Sequence, residues 1–301
     1  MLFKTMRLPI SILLSVCLLG LIACNGKEKS PPPETPSPAV AESPSPQPSP
    51  KPAAGKTIKV PVLIKESRYH GTDKLDEYYS YEYDAALKVL LSKTLHDSQR
   101  SAPQGKSVYE YDAKGLLIRE TVYGPENVLK YRIDSTYGPD GLKLQETRRD
   151  PRNVVVLTSR FAYDEAGRRT SWKIFMGEDE LVGETQYRYE EGLLKRITLR
   201  ARENEYRGMI QIEHDKKGRE ISRTNITARG TTESYEDYTY EGDRLAQERK
   251  TGVTGKLLLT ILYDYDKAGS LIKKTVKNDK GKVKEYTVYE YAYREEEAPA
   301  E

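Results

Sequence analysis

The chain has 301 residues, 49 of them Lys or Arg and 46 Asp or Glu, for a formal charge of +3. That near balance excludes the strongly basic footprint of a nucleic-acid binder. Two cysteines exclude a disulfide-stapled scaffold, and 23 tyrosines beside 3 phenylalanines and 1 tryptophan point to surfaces that are aromatic yet only partly dry.

In chain order, Met1 to Ala23 has the layout of a secretory signal. Lys4 and Arg7 form a positive start, and Ile10–Leu14 with Val16–Ile22 supply a short apolar core. Small Ala23 then precedes Cys24. The run Leu21-Ile22-Ala23-Cys24 resembles the lipobox of bacterial lipoproteins, with Ile22 larger than the residue usual there. The resemblance implies cleavage between Ala23 and Cys24, acylation of Cys24 and a firm membrane anchor. Asn25 stands where the family's inner-membrane retention signal has aspartate, which implies the outer membrane. Cys17 would leave with the signal, so the mature chain offers no free thiol. Lys4 and Arg7 leave too, and 47 basic residues then face 46 acidic ones.

Residues 24–56 read as the lipidated cysteine and a tether. Ten prolines between Pro31 and Pro52, mixed with Ser, Ala and Glu, favour extended polyproline II and bury too little to fold. At about 3.1 Å per residue such a tether reaches up to roughly 90 Å.

Residues 57–294 read as a repeat array. Tyr83, Tyr111, Tyr137, Tyr163, Tyr189, Tyr240, Tyr265 and Tyr291 recur about every 26 residues, with His214 filling the one gap. A turn follows nearly every one. Asp112 with Gly115, Asp164 with Gly167, Asp215 with Gly218 and Asp266 with Gly269 share Asp-x-x-Gly, in which aspartate caps a type I turn and glycine takes the left-handed bulge position. Gly138-Pro139-Asp140-Gly141 is a variant, Leu87 occupies the glycine position of the first unit, and the turns after Tyr189 and Tyr240 are one residue shorter. A second turn recurs 13–16 residues on, as at Gly124–Asn127, Asp150–Asn153, Thr251–Gly255 and Asn278–Gly281. Each unit is therefore strand, turn, strand, turn, and Ile58–Arg68 opens the array as a half-unit. The expected fold is all-β: an antiparallel up-and-down meander of about 18 strands built from 26-residue hairpins, curled into an open barrel-like or spiral shell with tyrosines inward. Alternation predicts one aromatic–aliphatic face and one charged face. Residues 295–301 read as an acidic, disordered tail.

The pattern Tyr-x-Tyr-Asp-x-x-Gly, at Tyr109–Gly115 and Tyr263–Gly269, resembles the YD repeats of the RHS family, and Phe161–Arg168 keeps the arginine common after the glycine. The resemblance spans about Tyr78 to Tyr291 and implies a bacterial surface or secreted protein whose strands wind into a hollow β shell. The unit here is longer than the usual YD unit, the chain is far shorter than full RHS proteins, and no toxin domain follows Tyr293.

Catalytic chemistry is not legible. His70, His96 and His214 lack zinc-ligand spacing, the first two falling near predicted loops. No phosphate loop or nucleophile elbow occurs, and the aspartates recur because turns need them. Trp172 reads as packed in the sheet. No catalytic residue, metal site or cofactor is expected. The leading expectation is a non-catalytic, lipid-anchored envelope protein presenting a β-repeat surface to a protein or glycan partner. The alternative is a carrier of a hydrophobic ligand in a tyrosine-lined cavity, and a glycan-active enzyme ranks third. Glu233–Tyr240 is too polar for the lipid-facing band of an integral barrel.

Overall fold

The structure is a computed structural model, and it describes residues 57–297 apart from Thr72 and Ser101. The signal, Cys24, the tether and the last four residues lie outside the described residues.

The hairpin grammar read from the sequence produces eighteen strands. They are β1 (Thr57–His70), β2 (Lys74–Tyr83), β3 (Leu90–Asp97), β4 (Pro103–Tyr111), β5 (Leu117–Tyr123), β6 (Leu129–Tyr137), β7 (Lys143–Arg149), β8 (Val155–Tyr163) and β9 (Arg169–Met176), followed by β10 (Glu180–Glu190), β11 (Leu193–Ala201), β12 (Tyr206–His214), β13 (Glu220–Thr227), β14 (Thr232–Glu241), β15 (Arg244–Gly252), β16 (Leu257–Tyr265), β17 (Leu271–Asn278) and β18 (Val283–Glu297). Each pairs antiparallel with its neighbours in sequence, and β1 pairs with β18. The meander of about 18 strands is as expected, and that last pairing makes the curled sheet a closed barrel where an open or spiral shell was anticipated. Closure removes both free edges of the barrel wall.

The turns follow from their residues. Asp112 Oδ1 accepts the N–H groups of Lys114 and Leu116 at 2.9 Å, and Gly115 sits at φ 81°. The same arrangement recurs at Asp164 and Asp215, and Asp266 accepts the Ser270 N–H at 2.8 Å. The shorter turn after Tyr189 places Glu191 at φ 52° and Gly192 at φ 82°, as a two-residue type I′ turn requires. Leu87 is held at φ 56°, a position that costs a side chain about 1–2 kcal/mol.

β1 and β18 are the longest strands, and their far ends pair only with each other. β2 meets β1 over Lys65–His70 and β17 meets β18 over Val283–Val288, whereas Thr57–Val62 pairs with Ala292–Glu297. A two-stranded ribbon of roughly 20 Å, at ~3.3 Å per residue, therefore continues past the barrel wall. The boundary expected at residue 294 moves to Glu297, because Thr57, Ile58 and Lys59 give Glu297, Glu296 and Glu295 strand partners.

Candidate functional site

Two tyrosine positions in each Tyr-x-Tyr do different work. The second of the pair, the repeat tyrosine, stands where its strand enters the turn region and reaches back to the adjacent, preceding strand. Its hydroxyl donates to a backbone carbonyl 20 or 21 residues earlier: Tyr83 to Leu63, Tyr111 to Leu90, Tyr137 to Leu117 and Tyr163 to Lys143, then Tyr189 to Arg169, Tyr240 to Glu220, Tyr265 to Leu245 and Tyr291 to Leu271, all at 2.7–3.0 Å. These phenols latch each hairpin to the one before it. Arg168 and Arg219 add a clamp: each bonds its own turn aspartate, Asp164 or Asp215, and stacks on the next unit's latch, Tyr189 or Tyr240. His214 occupies a latch position without making one, and its Nδ1 is buried with no hydrogen-bond partner among the described residues.

One turn deeper, a cross-strand pair recurs nine times at one height around the wall. The pairs are Tyr289 with Glu66, Tyr81 with Lys93, Tyr109 with Glu120, Ser135 with Glu146 and Phe161 with Trp172, then Tyr187 with Ile197, Ile212 with Arg223, Tyr238 with Glu248 and Tyr263 with Lys274. Side chains on this face converge, as they must on the concave side of a barrel. Lys93 Nζ lies 3.9 Å from the Tyr79 ring centre and 5.1 Å from that of Tyr81. It also feels Glu66, two strands to one side, and Glu120, two strands to the other.

The charges on this inner face correct the expectation of one aromatic and one charged face. From β13 through the closure to β5 the wall reads Arg223, Tyr238, Glu248, Tyr263, Lys274, Tyr289, Glu66, Tyr81, Lys93, Tyr109, Glu120. Each phenol stands between an acid and a base. The Tyr81 hydroxyl donates to Glu66 at 3.0 Å and that of Tyr263 to Glu248 at 3.1 Å, while Arg223 and Lys274 lie over Tyr238 and Tyr263. Opposite charges in register, bridged by hydroxyls, are what lets ions sit on a half-buried surface. Burial pushes the Tyr109 and Tyr289 phenols up to about 12 and raises Tyr81, Tyr238 and Tyr263 as well. Burial also raises the Glu248 carboxyl and lowers the Lys93 ammonium.

Across the ring the pattern breaks. On β8 to β12 the same height holds Phe161, Trp172, Tyr187, Ile197 and Ile212, and Ile174 and Ile210 lie beside them on the same face. Trp172, Ile174 and Ile210 are 7–8% exposed and Ile212 is 3% exposed, which places most of the buried hydrophobic side chains in this arc. So few buried apolar residues do not amount to a filled core. Eighteen strands at ~4.8 Å, tilted by the roughly 40° usual in barrels, enclose a circumference of about 113 Å, or roughly 36 Å across a circular ring before side chains. A recess of ≈ 380 Å³ on the ionic arc is lined by Tyr79, Lys93, Tyr109, Glu120, Val122 and Tyr131.

The outer face is polar. β10 to β12 turn Glu184, Gln186, Arg188, Arg196, Thr198, Arg200, Gln211 and Glu213 outward, which is no lipid-facing band. His96 is the next-to-last residue of β3, beside the turn that begins at Asp97, and its ring stacks on Tyr78 at 4.4 Å. Among the described residues no group of three His, Cys, Asp or Glu is placed to hold a metal.

The fold and the inner belt thus define a closed, up-and-down, 18-stranded repeat barrel with a tyrosine-and-ion lining. No protein-family model matches the chain, and no curated protein matches it. Among solved structures it is similar to a TcdB2-TccC3 structure, at 14% identity and TM-score 0.28, over 73% of this chain and 16% of that one. It is also similar to porin-like proteins of Bacteroides uniformis (8% identity, TM-score 0.42, 76% of this chain and 98% of that one) and Bacteroides vulgatus (11%, 0.40, 77% and 99%). The chain spans about one-sixth of the toxin chain it matches.

Proposed function

We propose that this is a non-catalytic, lipid-anchored barrel of the bacterial cell envelope, tethered through Cys24 to the outer membrane, that holds a ligand within its lumen. The observation that carries the reading is closure. The tyrosine face, expected to line the inside of an open or spiral shell, is enclosed by the β1–β18 pairing, so what it binds must enter the barrel. The lining supports binding over packing, since it keeps phenols and ions half-buried where a dry core would carry aliphatics. Native mass spectrometry of protein purified from its own host envelope tests this: a co-purifying small molecule is expected. An empty barrel, with no phenotype on deleting residues 57–297, would end the reading.

A second reading, an outward surface for a protein or glycan partner, is favoured by the closure seam. There Tyr69 stacks on Tyr286 and Tyr78 on His96 on the outer face, with Lys273 and Lys65 over the rings. Loss of envelope pull-down partners in a Tyr69→Ala/Tyr286→Ala variant would support it, and unchanged capture would remove it.

A further inference from the structure

We propose that the lumenal ligand is a zwitterionic amphiphile, its hydrocarbon laid on the apolar arc of β8 to β12 and its charged head held among the phenols of the β13-to-β5 arc. The inference rests on the ligand-holding reading above and names the chemical class. It follows from the two-sidedness of the lining. In a ring of eighteen, β10 at the middle of the apolar arc faces β1, whose Glu66 lies near the middle of the ionic arc.

A plain hydrocarbon filling the lumen would strip water from Glu66, Lys93, Glu120, Glu248 and Lys274 without replacing its hydrogen bonds, a heavy cost for each ion. A wholly polar ligand would leave Phe161, Ile197 and Tyr187 wet, forgoing about 25 cal/mol for each Å² of apolar surface. An amphiphile satisfies both walls. The order of charges then selects the head. Acid and base alternate on successive odd strands, Glu248, Lys274, Glu66, Lys93, Glu120, with a phenol between each pair. Two strand spacings separate like positions, roughly 9.6 Å. A head carrying one anion and one cation a few bonds apart meets both signs at once, whereas a simple carboxylate or a simple amine always confronts one like charge. The Tyr109 and Tyr289 phenols, which stand in the same belt opposite Glu120 and Glu66, donate to the anionic oxygens, while Tyr81 and Tyr263 hold Glu66 and Glu248 in place.

Trp172, the single tryptophan of the chain, lies on the apolar arc and reports its occupancy. The experiment titrates the full, unlipidated chain with lysophosphatidylethanolamine bearing a brominated acyl chain, below its micelle-forming concentration, and follows Trp172 fluorescence. Saturable quenching is expected. A Glu248→Gln/Lys274→Met variant should bind about tenfold more weakly, the worth of one charge-assisted contact. A brominated fatty acid should bind the unaltered chain more weakly than the lysophospholipid. Absence of saturable quenching in the unaltered chain overturns the proposal without recourse to a variant. Equal quenching by the fatty acid overturns recognition of the head. Quenching by neither, together with a saccharide found by native mass spectrometry, overturns the amphiphile while the ligand-holding barrel stands. An empty barrel from the host removes both.

Discussion

His214 is where the repeat lost its latch, and restoring it measures what a latch contributes. In His214→Tyr the new hydroxyl is placed to donate to the carbonyl of Leu194, twenty residues earlier and the second residue of β11, just as Tyr265 reaches Leu245, the second residue of β15 after the other two-residue turn. A net hydrogen bond is worth about 1 kcal/mol, and relieving a buried, unpartnered Nδ1 adds a further part of ~1–3 kcal/mol, discounted here because the ring is half-exposed. The expected gain is about 1.5 kcal/mol. For a domain of this size that raises Tm by roughly 3–6 °C. The gain should also depend on pH. Burial, with Lys195 nearby, lowers the His214 pKa in the fold, so the neutral ring's contribution is whole above the unfolded value of about 6.5 and is lost as pH falls below it. The advantage of tyrosine should therefore grow on acidification. The assay is equilibrium urea denaturation at neutral and acidic pH with His214→Phe alongside. If phenylalanine matched tyrosine, ring area and not the hydroxyl would be responsible, and the latch reasoning would be refuted.

Further outcomes follow from the same geometry. Tyr137→Phe, which removes a 2.7 Å latch to Leu117, should cost about 1 kcal/mol in the same assay, and an unchanged midpoint would contradict it. Leu87→Gly should stabilise by about 1 kcal/mol, since it relieves a left-handed leucine, whereas Gly167→Ala at φ 73° should destabilise by a similar amount. Gly208→Ala should cost about 1–3 kcal/mol or more, because an added methyl would meet the Ile226 carbonyl oxygen at 2.5 Å with φ at 140°. Alkali should unfold the barrel cooperatively. Belt phenols have folded pKa values above the unfolded value of about 10, so their contribution is whole below 10 and is lost as pH rises toward about 12. Phenolate absorbance equivalent to all 23 tyrosines developing near pH 10 with structure intact would contradict this.

The strand count, the two turn families and the latch tyrosines were legible because turns and strand ends are local. Asp164 and Gly167 define their hairpin within the five consecutive residues Asp164 to Arg168, and the spacing of Tyr163 and Tyr189 reports how many residues one hairpin consumes. The ionic belt was missed although it too has a period: Glu66, Lys93, Glu120, Glu146, Trp172, Ile197, Arg223, Glu248 and Lys274 stand 25–27 residues apart. Chemical identity varies from strand to strand at that height, so no single residue type marks the period as tyrosine marks the other. Only the register across strands shows that acid stands beside base. Closure was illegible for a different reason. Nothing near Thr57 or Glu297 signals that the two ends pair, because the complementarity of Thr57–Val62 and Ala292–Glu297 exists only once the intervening strands have turned a full circle.

That single distant pairing gives the ring an unusual property. Every other strand finds its partner within one hairpin, so assembly can zip along the chain at little entropic expense and then waits on one encounter between its two ends. A chain cut open at the exposed turn around Gly230, with Glu297 spliced to Thr57, would contain the same neighbours in the same cyclic order. In that sense the barrel has no first strand, and the fold itself is a loop.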